Sequence, residues 1–155
     1  MNVQTVRRGA LAICGYAVET TLNNNDADLQ KLFSDFFDTG KDELLLGLKG
    51  AEPGFFGVEW YAPGHESFFY LLGIAVDRGI RVPQGALLKL IPAAEYAVTK
   101  VCAGRSLVDA WTEFFYQAIP ELGYAPDDAH GCYFEYYPGH TDGDCELWVP
   151  VVVKK

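Results

Sequence analysis

One methionine, three histidines and no basic cluster larger than a pair set the first limits on this 155-residue chain. Twelve basic residues face 21 acidic ones, a formal charge of −9, and the largest basic groups are Arg7–Arg8 and Lys154–Lys155. A phosphate backbone needs several cations on one surface, so direct nucleic-acid binding is excluded. The histidines have no cysteine or acid at ligand spacing, so no metal site is expected, and His65 and His140 fall to loops after Pro-Gly turns. The four cysteines (Cys14, Cys102, Cys132, Cys145) form no C-x-x-C pair. Cys132 and Cys145 could meet across the last hairpin, but reduced thiols in a cytoplasmic protein fit the pattern better. No apolar run is long enough to cross a membrane. The short run after Arg8 reads as a strand and not as a signal segment, because Ile13 stands before Cys14 where a lipid-attachment site needs a small residue. Ser34, Ser67 and Ser106 lack the context of a nucleophile, and the glycines form no phosphate-binding fingerprint. No cofactor is expected.

What the chain has is apolar and aromatic mass. Half of it is hydrophobic and 14% is aromatic, enough for one stable domain without disulfides. Residues 10–19 lean to a strand, and Asn24 or Asn25 is placed to cap a helix. Leu29, Leu32, Phe33, Phe36 and Phe37 then form a helical stripe that Gly40 ends. Residues 44–48 read as a short strand, and strands are expected at 55–61 and 68–76. The pattern then restarts: a strand region at 87–101, Ser106 with Asp109 as a helix cap, a stripe through Leu107, Ala110, Trp111, Phe114 and Ala118, and closing strands at 131–137 and 146–152.

The halves match in residues as well as in order. Gly15–Thr20 matches Glu95–Lys100 at an offset of 80, Phe33–Phe37 matches Trp111–Phe115 at 78, and Pro63-Gly64-His65 matches Pro138-Gly139-His140 at 75. The expectation is an α+β domain over residues 1–155, built from two strand–helix–strand–strand units, 4–83 and 84–155.

The closing stretch, Tyr133–Val152, holds the candidate site. Alternation along a strand puts Glu146 and Trp148 on one face and Leu147, Val149 and Val151 on the other. A carboxylate among aromatics is costly unless something offsets it, which makes Glu146 the leading acid. Trp148 is the stacking wall beside it. The same reasoning puts Phe134 and Tyr136 on one face of the preceding strand and Tyr133, Glu135 and Tyr137 on the other; pattern alone leaves open which set lines the site. Glu135 is therefore a second acid candidate, against the ordinary solvated role of such a residue. In the first unit Trp60 and Tyr61 hold the related positions. There Leu71 and Gly73 align with Glu146 and Trp148, which would leave room for a ligand. Tyr96, with its mate Tyr16, and Trp111 on the helical stripe are further candidates at the edge of the site.

The paired units, the segment Phe134–Gly139 and the closing Glu146–Pro150 resemble the GyrI-like small-molecule-binding domain over nearly the whole chain. That family includes effector-binding domains of multidrug regulators and stand-alone gyrase-inhibitory proteins. The resemblance implies two units about a pseudo-two-fold axis, their sheets and helices flanking a central ligand cleft, with Glu146 in that cleft contacting a bulky lipophilic cation. The two units take up this sequence and leave no helix-turn-helix in it, so transcriptional action would require a regulator partner. Two alternatives stand beside capture of a hydrophobic cation: hydrolysis of a strained electrophile with Glu146 as general acid or base, and a gyrase-inhibitor-like interaction role. A homo-oligomer is also open.

Overall fold

The computed structural model describes residues 1–64 and 66–155. His65 falls outside the described residues. In chain order the elements are β1 (Val3–Arg8), β2 (Leu11–Thr20), α1 (Asn25–Asp38), α2 (Lys41–Leu46), β3 (Phe55–Tyr61), β4 (Phe68–Ala75), β5 (Leu87–Ile91) and β6 (Ala94–Val101). There follow α3 (Leu107–Glu113), a π-helical turn (Phe114–Ala118), α4 (Ile119–Glu121), β7 (Tyr124–Pro126), β8 (Cys132–Tyr137) and β9 (Cys145–Val153). The fold is α+β, dominated by antiparallel sheet.

Eight strands run in the order β1-β6-β9-β8-β3-β4-β2-β5, with β7 paired to β9. The order reads the same from either end once β1, β2, β3 and β4 are matched with β5, β6, β8 and β9. Each half lends its first strand to the other, since β1 pairs with β6 and β5 pairs with β2. We propose that 4–83 and 84–155 are two copies of one unit, and this exchange supports it.

Chain length dictates the curvature. Only Pro92 and Ala93 join β5, at one edge, to β6, next to the other edge. Two linking residues reach about 10 Å, whereas six strand spacings in a flat sheet would span about 29 Å. The sheet must therefore curl. Its inner face holds Ile13, Phe56, Val58, Leu71, Tyr96, Phe134 and Trp148 in one cluster. Its outer face is covered by α1 over Tyr16, Tyr70 and Leu72, and by α3 over Ala97, Tyr137 and Leu147.

The local expectations fare differently. Residues 41–46 are a helix rather than a strand; Gly40 turns the chain at φ 76°, and Asp42 and Glu43 sit in the first turn, where the helix dipole favours acids. A three-leucine run is too short for periodicity to choose between the two states. Asn24 is the N-cap of α1 but makes no side-chain cap bond; Thr20 Oγ1 instead donates to Asp28 Oδ2 at 2.6 Å. Ser106 does cap α3, accepting from the Asp109 N–H. Cys132 and Cys145 lie in different clusters on opposite sheet faces, so they do not face each other.

Candidate functional site

The residues singled out from the sequence divide between the two faces of the sheet. Trp60, Gly73, Tyr96, Phe134, Tyr136, Glu146 and Trp148 belong to the inner face, by cluster or by strand register. Tyr61 and Trp111 belong to the outer one, beside α3.

On the inner face the chain already supplies cations of its own. The Arg8 guanidinium lies 4.8 Å from the Trp148 ring centroid and also faces Phe56 and Phe134. The Lys89 ammonium lies 4.3 Å from the Trp60 ring. Glu146 is half-buried and accepts a hydrogen bond from Trp148 Nε1 at 3.1 Å. Gly73 leaves no room for a ligand: a Cβ there would come 2.2 Å from the Cys14 carbonyl oxygen. The glycine serves close approach of β2 and β4, where Gly15 and Gly73 are paired.

The outer face has the buried acid. Glu135, on β8 at the middle of the sheet, is 4% exposed. Its Oε1 accepts from Tyr70 Oη at 2.7 Å and from Tyr137 Oη at 3.1 Å, and its Oε2 accepts from Trp111 Nε1 at 2.8 Å. Burial pushes its pKa up, and the three donors pull it part of the way back. Glu135 in turn raises Tyr70 and Tyr137, whose burial does so more strongly.

Gly57 makes this arrangement possible. It is paired with Glu135 across β3–β8, and a Cβ there would lie 1.9 Å from Tyr70 Oη and 2.9 Å from Glu135 Oε1. The missing side chain is the space in which phenol and carboxylate meet.

Two cavities flank this centre. One, of about 400 Å³, runs beside α1 and is lined by Leu29, Phe33, Tyr70, Leu107, Glu135 and Tyr137 among others. The second, of about 160 Å³, lies against α3 and is lined by Glu59, Tyr61, Trp111, Phe115, Tyr116 and Tyr133 with Thr112. Trp111 relates the two: it lines the second and donates to Glu135, which lines the first. Glu59 is the second acid of this face. Burial, with Glu135 as a smaller cause, pushes its pKa up to about 8.

Glu59 was missed by reasoning from sequence, although a signal for it exists. An offset of 75 puts Tyr61 on Tyr136, yet Tyr136 packs on the inner face and Tyr61 on the outer. Treating Ala62 as an insertion gives an offset of 76, which superposes Val58-Glu59-Trp60-Tyr61 on Phe134-Glu135-Tyr136-Tyr137. Faces then agree, and the two glutamates become repeat mates on neighbouring strands.

Residues 6–151 match the family of integron-associated effector binding proteins, Cass2. The chain belongs to this family. Its GyrI-like fold is shared by solved structures at low identity. SAV2435 bound to tetraphenylphosphonium is 14% identical with a TM-score of 0.73, over 98% of this chain and 94% of that one. The integron cassette protein VCH_CASS2 from Vibrio cholerae is 16% identical with a TM-score of 0.68, over 97% and 95%. The C-terminal domain of EcmrR is 12% identical with a TM-score of 0.67, over 98% and 98%. No curated protein sequence matches the chain. Among the described residues of this Cass2-family chain, no helix is long and apolar enough to cross a membrane, and no group of three or more potential ligands could hold a metal ion.

Proposed function

We propose that this chain captures a lipophilic organic cation in the outer groove between α1 and α3, with Glu135 as its counter-charge. The observation that carries the reading is a carboxylate buried at 4% exposure beside an aromatic-lined cavity of about 400 Å³. Desolvating an acid without a partner cation costs stability, and three donors offset only part of that. A bound cation would complete the compensation. Phe33 and Tyr70, with ring centroids 5.8 Å apart, offer aromatic surface to the ligand's apolar body. Each aromatic face in contact with a desolvated cation contributes about 0.5–2 kcal/mol. Tetraphenylphosphonium in SAV2435 is a ligand of this chemical class. The similarity to the EcmrR domain favours a regulatory setting in which a partner carries the response.

The raised pKa gives the reading a proton signature. A cation favours the ionised carboxylate, so binding at a pH near or below the raised pKa releases part of a proton, and affinity rises as pH rises through it. Calorimetric titration with tetraphenylphosphonium in buffers of different ionisation enthalpy measures this release. We expect saturable binding, proton release, and no comparable binding of tetraphenylborate. Equal binding of cation and anion would remove Glu135 from the account and leave a merely apolar groove.

A further inference from the structure

We propose that the cavity holding Glu59 is a second organic-cation subsite, built for an alkylammonium head group, so that the chain takes two-headed dications with one charge on each side of Trp111. The inference rests on the reading of Glu135 as the first cation site.

The walls of the second cavity are those of a cation cage. Trp111 and Phe115 lie against Tyr133 with ring centroids at 5.6 Å and 5.9 Å, and Tyr61 closes a third side at 6.4 Å. Phe115 holds Tyr116 at 5.4 Å, at the rim. Both Phe115 and Tyr116 come from the π-helical turn Phe114–Ala118, which breaks the regular helical register where the cavity begins. Aromatic faces on several sides and one carboxylate are the arrangement that recognises quaternary ammonium groups.

Glu59 differs from its mate in having no hydrogen-bond partner among the described residues. Glu135 accepts three hydrogen bonds, whereas no donor among the described residues reaches Glu59. At Tyr70, the strand neighbour of Glu59, the matching position in the second half is Leu147, the strand neighbour of Glu135. The phenol of Tyr70 goes to Glu135. The duplication thus leaves two acids on one face: one is held by protein donors and the other is open to a ligand. The cavity of about 160 Å³ suits a small head group and not a tetraaryl cation. Because Trp111 walls the second cavity and bonds to the acid that lines the first, a flexible linker passing its indole would place one charge in each.

The test compares hexyltrimethylammonium with bis(trimethylammonium)alkanes of six to ten methylenes, by calorimetry on wild type, Glu59→Gln, Glu135→Gln and Tyr116→Ala. Tyr116 is 73% exposed, so its truncation leaves the fold intact. We expect the best two-headed ligand to bind wild type at least tenfold more tightly than the single-headed one. Glu59→Gln and Tyr116→Ala should each remove most of that gain, and Glu135→Gln should weaken both ligands. Single-headed binding that depends on Glu135, with no two-headed gain or with a gain that survives both Glu59→Gln and Tyr116→Ala, overturns the second subsite alone. Failure of wild type to bind either ligand or tetraphenylphosphonium overturns the first site and the second together.

Discussion

Glu135→Gln should weaken tetraphenylphosphonium binding ten- to a hundredfold, while Glu146→Gln should change it less than threefold. The two residues separate by environment. Glu135 is buried between the helices with a cavity against it, and Glu146 lies on the other sheet face, half-buried and bonded to Trp148. A tenfold loss corresponds to about 1.4 kcal/mol, a modest value for removing the charged partner of a desolvated cation. The amide also disturbs the donors. Its oxygen can still accept from Tyr70 and Tyr137, but its NH₂ then faces the Trp111 N–H, two donors at one contact. Trp111 should lose its anchor, so its emission should change in the free mutant as well. Titration followed by calorimetry and tryptophan fluorescence reads both effects. A Glu146→Gln protein that loses binding, beside a Glu135→Gln protein that keeps it, would return the site to the inner face.

Gly57→Ala should destabilise the fold by about 1–3 kcal/mol, the range for overpacking a filled interior. The added methyl would sit 1.9 Å from Tyr70 Oη, so the ring must move. Moving it breaks the 2.7 Å bond to Glu135 and leaves that carboxylate with two donors in place of three. For a chain of this size the loss lowers Tm by roughly 2–12 °C. Tyr70→Phe in the Gly57→Ala background supplies the control: with the hydroxyl gone, part of the clash is relieved and the second substitution should cost less than it does in wild type. Thermal melts of the two single variants and the double test this coupling. Strictly additive effects would mean that Gly57 and Tyr70 do not share the space.

How much of this the sequence contains depends on what decides each feature. Alternation separated Leu147, Val149 and Val151 from Trp148, and the structure puts them in different clusters. It also placed Tyr133, Glu135 and Tyr137 together, on what is now the helix-covered face. What alternation does not carry is which face a helix covers, because both faces of β8 are buried: Phe134 on one side is as enclosed as Glu135 on the other. A carboxylate inside a strand ordinarily points to water, and Glu135 departs from that rule through donors that come from three separate elements. Tyr70 lies 65 residues away in sequence and Trp111 lies 24 away. Local pattern holds no record of such meetings. Gly73 attracted notice as a vacant position, yet strand pairing fills the space beside it. Gly57, one residue of a strand with no motif around it, proves to be the glycine that matters to the buried acid.

A crystal structure of the chain with tetraphenylphosphonium tests the central claim most directly. The phosphonium is expected in the groove between α1 and α3, beside the Glu135 carboxylate and against Phe33 and Tyr70, with Arg8 still over Trp148. A ligand seated on the inner face, against Trp148 and Glu146 with Arg8 displaced, would contradict it.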